Sequence, residues 1–120
     1  MKKTRLKKPN YSDWTLKYSY QVMWSEDDNA FLASVAEFPL LSAHGNSPEK
    51  ALKEIHFVVS EVTTDLEESG ESIPQPLSLR KYSGKLNVRL PISTHRHLVQ
   101  EAAFQHVSLN QLILSKLSKS

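Results

Sequence analysis

In the stretch GKLNVRLP, residues 84–91, three polar side chains able to grip a nucleic acid, Lys85, Asn87 and Arg89, alternate with the apolar Leu86, Val88 and Leu90. A period of two puts the polar set on one face of a strand and the apolar set on the other. On a two-stranded ribbon laid in a DNA major groove, lysine and arginine can address guanine and asparagine can address adenine. The polar face holds no acid, and residues 72–120 contain only Glu101. The chemistry on offer is recognition of an anion, with no bond made or broken.

Other reactive side chains are present but badly placed for catalysis. Glu26, Asp27 and Asp28 are consecutive in a predicted turn, where neighbouring carboxylates point apart and stay solvated, and Asp13 and Glu37 have no evident partner. Two-metal hydrolysis needs carboxylates converging from separate elements on ions about 4 Å apart. Of the five histidines, His95 and His97 are two apart on a predicted helix and so face different ways. His106 lies too far along to join them, His44 stands alone before Gly45, and His56 falls within a long helix. No Ser-His-Asp arrangement, glycine-rich phosphate loop or nucleophile elbow is visible. The chain reads as no enzyme, with no metal and no cofactor; an RNA-processing nuclease is the third-ranked reading.

The elements that would hold Lys85, Asn87 and Arg89 in place are legible around them. Pro91 ends the strand, a helix follows from Ile92 to His106, and Ser108 with Gln111 forms an S-x-x-Q capping box opening a second helix. Strand, helix and helix in residues 84–120 are too little to bury their own apolar face, and a lone strand leaves its backbone groups unpaired. The economical solution is a homodimer in which two copies of the strand pair antiparallel. Upstream, LKYSYQVMW alternates Tyr18, Tyr20, Val22 and Trp24 against polar positions and predicts a strand. SEDDNA is a turn, FLASVA the antiparallel partner, and the run around Leu40-Leu41, between Pro39 and Gly45, a short third or edge strand. Ser47 and Pro48 start a long helix whose stripe of Ala51, Leu52, Ile55, Val58, Val59, Val62 and Leu66 faces a core, and Ser69-Gly70 stops it. Pro74 and Pro76 then suggest an extended linker.

The expected fold class is therefore α+β in two domains: a basic tail at 1–10, a first domain at 11–73, a linker at 74–83 and a second domain at 84–120. Charge divides along the same lines. Residues 1–10 carry five basic groups and no acid, residues 11–71 carry twelve acids against three lysines, and residues 72–120 carry seven basic groups against Glu101. An acidic middle and basic ends suggest a cationic partner for one part and an anionic one for the other. Arg80 and Lys81 would add nonspecific phosphate contacts. The absence of cysteine excludes a disulfide framework, and neither a signal-peptide core nor a membrane-length apolar run is present. A soluble protein of a reducing cytoplasm, with no membrane partner, is expected.

KLNVRLP, followed by HLVQEA and SLNQLI, resembles the ribbon-helix-helix family of bacterial repressors, the Arc and MetJ type. The resemblance implies that Lys85, Asn87 and Arg89 touch bases of operator double-stranded DNA, while backbone amides of the Ser108-Leu109-Asn110 turn hold a phosphate, as a helix N-terminus can. Over nearly the whole chain, the order YSYQVMWSEDDNAFLASVAEFPLLSAHGNSPEKAL, GESIPQP, YSGKLNVRLP is similar to HicB-type antitoxins of bacterial toxin-antitoxin systems. The family's frequent Gly-Cys after the proline is Leu40-Leu41 here, and its usual Gly-Asp-Thr is Gly45-Asn46-Ser47. This resemblance implies a partial ribonuclease H-like first domain that blocks a small basic ribonuclease, the HicA-like toxin, and a dimer that paired first domains could raise to a tetramer. A stand-alone repressor whose first domain senses a ligand or merely oligomerises is the alternative.

Overall fold

The computed structural model describes residues 8–119 and divides the chain into two compact units, residues 1–81 and 82–120. The basic tail falls largely at 1–7, outside the described residues.

The first unit is α+β. Its elements run α1 (Tyr11–Lys17), β1 (Tyr20–Ser25), β2 (Ala30–Val35), β3 (Ser42–Gly45) and α2 (Pro48–Ser69), followed by a single 3-10 turn, Leu77–Leu79. The three strands form one antiparallel sheet in the order β1-β2-β3. Tyr20 faces Val35, Val22 faces Ala33, and Ala33 in turn faces Ala43. One face of that register meets α2. Ala33, Val35 and Ala43 pack there with Ala51, Ile55 and Val59, while Trp14, Tyr20, Val22, Phe31, Phe38, Leu41 and Leu52 close the edges. The alternation that predicts β1 is kept at Tyr20 and Val22 and relaxes at Trp24, which is exposed.

Helix α2 begins and ends where its sequence directs. Ser47 Oγ accepts from the Lys50 N–H at 3.2 Å, and Pro48 opens the first turn. Gly70 takes a left-handed φ of 73° and its N–H donates to Glu67 O, while the Glu71 N–H donates to Leu66 O. The predicted stripe is the inward one, with Thr63 added to it.

The sequence reading needs three corrections in this unit. Leu16 and Lys17 belong to a helix and the strand starts only at Tyr20, because Asn10 Oδ1 caps α1 through the Asp13 N–H and Asp13 pairs with Lys17 at 2.8 Å. Leu40-Leu41 precedes β3, since the Leu41 N–H bonds back to Phe38 O in a turn and leaves Leu40 97 % exposed. The proline-containing stretch is no free linker over 74–79: it is hydrogen-bonded to the first unit, and Pro76 is fully buried.

The second unit holds α3 (Ile92–Gln105) and α4 (Leu109–Leu117). His106 turns the chain between them in a left-handed conformation, φ 57°, and its N–H bonds to Ala103 O. Among the described residues of this unit only Ala102 and Leu112 are buried. Residues 84–91 form no strand in the single chain, because a strand's backbone groups need a neighbour and none is supplied here.

Candidate nucleic-acid interface

All of residues 81–91 are exposed. Leu86 is 85 % accessible, Val88 70 % and Leu90 42 %, so the apolar face of the expected ribbon is uncovered. The Lys85 N–H bonds to Ser83 Oγ at 3.1 Å. Among the described residues no ion pair engages the side chains of Lys85 or Arg89, so both cations remain available. Arg80 is placed differently, because its guanidinium donates to Gln75 O at 3.0 Å within the first unit.

At the start of α4 the capping box is complete. Ser108 Oγ accepts from the Gln111 N–H at 3.0 Å, and the Ser108 N–H donates to Gln111 Oε1 at 3.1 Å. Ser108 has therefore spent its own amide. The N–H groups of Leu109 and Asn110 lie in the first turn, which offers them no intrahelical acceptor. These two amides can meet an anion. Lys116 Nζ stands 2.9 Å from Glu101 Oε2, an oxygen closed off from solvent, and so ties α4 to α3. The lone acid of the basic segment is thus neutralised. No hydrogen bond or ion pair among the described residues joins Lys85, Asn87 or Arg89 to the α4 turn.

The acids of the first unit take separate posts. Asp28 accepts from Ser25 Oγ at 2.8 Å and stands 3.3 Å from His44 Nε2; the Ser25 bond, then His44, hold its carboxyl below the usual range. Trp24 Nε1 donates to Glu26. Glu37 accepts from the Ser19 N–H, Ser19 Oγ and the Leu77 N–H at 2.9, 3.1 and 2.8 Å. Burial pushes the Glu37 carboxyl up, but the backbone donors of Leu77 and Ser19 outweigh it and the net direction is down. Among the described residues no group of three or more His, Asp or Glu could hold a metal. Glu49, Glu54, Glu61, Asp65, Glu67 and Glu68 all lie exposed on α2.

A shallow groove of about 300 Å³ between α1 and α2 is lined by Asn10, Thr15, Thr63, Thr64 and Glu67, among others. Thr15, Thr63 and Thr64 each donate their hydroxyl to a carbonyl of their own helix, leaving little for a polar ligand. The binding of 74–79 by Tyr18, Glu37 and the Lys17 carbonyl is what sequence reasoning missed. A glutamate before Phe38-Pro39 carries no local sign of a partner forty residues away.

The HicB family model matches residues 67–117. This HicB-like stretch begins in the last turn of α2 and runs through the bound segment, residues 84–91, α3 and all of α4. It contains Lys85, Asn87, Arg89, Ser108, Leu109 and Asn110 and leaves the sheet outside. No curated protein and no solved structure matches the chain. No helix among the described residues is long and apolar enough to cross a membrane.

Proposed function

We propose that this chain is an antitoxin of the HicB type. Its first unit, a partial ribonuclease H-like domain, would occlude a HicA-like mRNA-cleaving toxin by stoichiometric binding. Its second unit would dimerise as a ribbon-helix-helix domain and repress its own operon. The observation that carries the reading is a coincidence in one segment: the HicB-like stretch is also where unpaired Lys85 and Arg89 alternate with uncovered Leu86 and Val88.

The mechanism follows from those residues. Pairing two copies of 84–91 would give each strand its missing backbone partner and turn Leu86, Val88 and Leu90 onto the helices beneath. Lys85, Asn87 and Arg89 would then project together into the major groove, and the Leu109 and Asn110 amides would take a phosphate to fix the register. The acidic surface of α2 suits a cationic partner, whose association it would accelerate. No chemistry is assigned to this chain.

The test is co-expression with the small basic protein encoded beside its gene. Growth arrest by the neighbour alone, rescue by this chain and recovery of a stable complex are the expected results; a harmless or non-binding neighbour removes the antitoxin reading. The second reading is a stand-alone repressor: the family match covers residues 67–117 and does not reach the sheet. Operator binding without any toxin partner would establish that alternative.

A further inference from the structure

The stretch from Pro74 to Leu79 is fixed to the first unit at both ends and in the middle. The Tyr18 hydroxyl donates to Pro74 O at 2.8 Å, the Leu77 N–H donates to Glu37 Oε2 at 2.8 Å, and the Ser78 hydroxyl donates to Lys17 O at 3.1 Å. Between these bonds Pro76 is fully buried. The stretch also closes on itself, with the Leu79 N–H on Pro76 O and the Arg80 guanidinium on Gln75 O. Every anchoring group comes from Glu37 or from the corner where α1 passes into β1. Glu37 binds both sides of the joint, because the carboxylate that receives Leu77 also receives the N–H and hydroxyl of Ser19.

We propose that residues 74–79 are a strap, bolted by the Glu37 carboxylate to the α1–β1 corner, which fixes where the tether to the second unit begins. With the strap fastened, the tether begins at Lys81; unfastened, it begins at Glu71, just past the Gly70 helix stop. At up to about 3.5 Å per residue, opening the strap adds on the order of 35 Å of reach. Tether length sets the effective concentration of one binding module near another, which falls roughly as the −3/2 power of length once the span is exceeded. A disturbance at the α1–β1 corner is thereby converted into a change in how far the second unit can roam. The strap is a property of the first unit alone and stands whether or not the chain binds a toxin or DNA.

Two variants of the full chain test this, with hydrogen exchange and small-angle X-ray scattering as readouts. Glu37→Ala removes the bolt, and Pro76→Gly empties the buried site while leaving the bolt in place. In the unaltered chain the Leu77 amide should exchange far more slowly than the exposed amides of residues 85–90. Both variants should speed Leu77 exchange about tenfold or more, leave the Val59 amide in α2 unchanged, and lengthen the maximum dimension by on the order of 10–20 Å. Fast Leu77 exchange in the unaltered chain would overturn the proposal. So would faster exchange with no change in dimension, which makes the strap irrelevant to reach, or an equal acceleration at Val59 in both variants, which makes residues 74–79 merely a part of the core.

Discussion

At Gly45 the backbone of β3 runs so close to α2 that a Cβ would sit 2.8 Å from Lys50 C and closer still to Ala51 N. Those are backbone atoms of a capped helix and have no rotamer to yield. Gly45→Ala should cost about 1–3 kcal/mol through overpacking. Both tryptophans, Trp14 and Trp24, lie in the first unit, so urea unfolding followed by their fluorescence reads this loss; an unchanged midpoint would refute the close contact. Glu37 adds a pH dependence whose sign follows from its lowered pKa. A carboxyl with a depressed folded-state pKa stabilises above its unfolded value, near 4.3, and that contribution is lost as pH falls through the folded value. The stability gap between the native chain and Glu37→Gln should be open at pH 7 and narrow below about pH 4. A gap constant across that range would contradict the donor set seen at Glu37. Arg89 bears on the proposed readout: Arg89→Ala should weaken specific operator binding by about 1–3 kcal/mol, measured by titration at fixed salt, and leave toxin neutralisation intact. Loss of both together would argue against independent modules.

The helices announce themselves by their ends, the strands by what covers them. Helix α4 is specified by Ser108 and Gln111, which satisfy each other's backbone donors across one turn. Ser108→Ala should therefore lower stability by about 0.5–2 kcal/mol, read by thermal unfolding in far-ultraviolet circular dichroism, and an unaltered transition would show that the second unit owes nothing to its cap. The same local logic made α2 and α3 legible, since Ser47, Pro48, Gly70 and Pro91 act within a turn of where they stand. Helix α1 escaped because its cap, Asn10, adjoins a basic stretch and its second half, Trp14 to Lys17, continues the alternation of Tyr18 and Tyr20. Residues 84–91 have a strand's pattern but no partner within one chain, which is why the proposed reading pairs them with a second copy. The strap was illegible for a different reason: its prolines describe an extended backbone correctly, while the Glu37 and Tyr18 contacts that hold it span 40 and 56 residues of sequence.

At the scale of the whole chain, twelve of the thirteen acids fall in the first unit, and the two units have cores that differ in completeness. The first has a continuous core of sheet on helix, whereas the second buries little beyond Ala102 and Leu112 and exposes Leu86, Ile92, Phe104 and Leu117. A fragment ending at Lys81 should consequently fold on its own, because everything that holds residues 74–79 in place is retained, and under the proposed function it should bind toxin and lose the operator. A fragment ending at Pro76 lacks the Leu77 N–H and the Ser78 hydroxyl, leaving Glu37 without one of its three donors and Lys17 O without its partner. Each lost bond is worth about 0.5–1.5 kcal/mol, so the shorter fragment should unfold at lower urea, by tryptophan fluorescence, than the longer one. Equal midpoints would mean that Leu77 and Ser78 add nothing to the first unit. An operator shift surviving in the longer fragment would remove Lys85, Asn87 and Arg89 from the interface, since none of them would be present to make it.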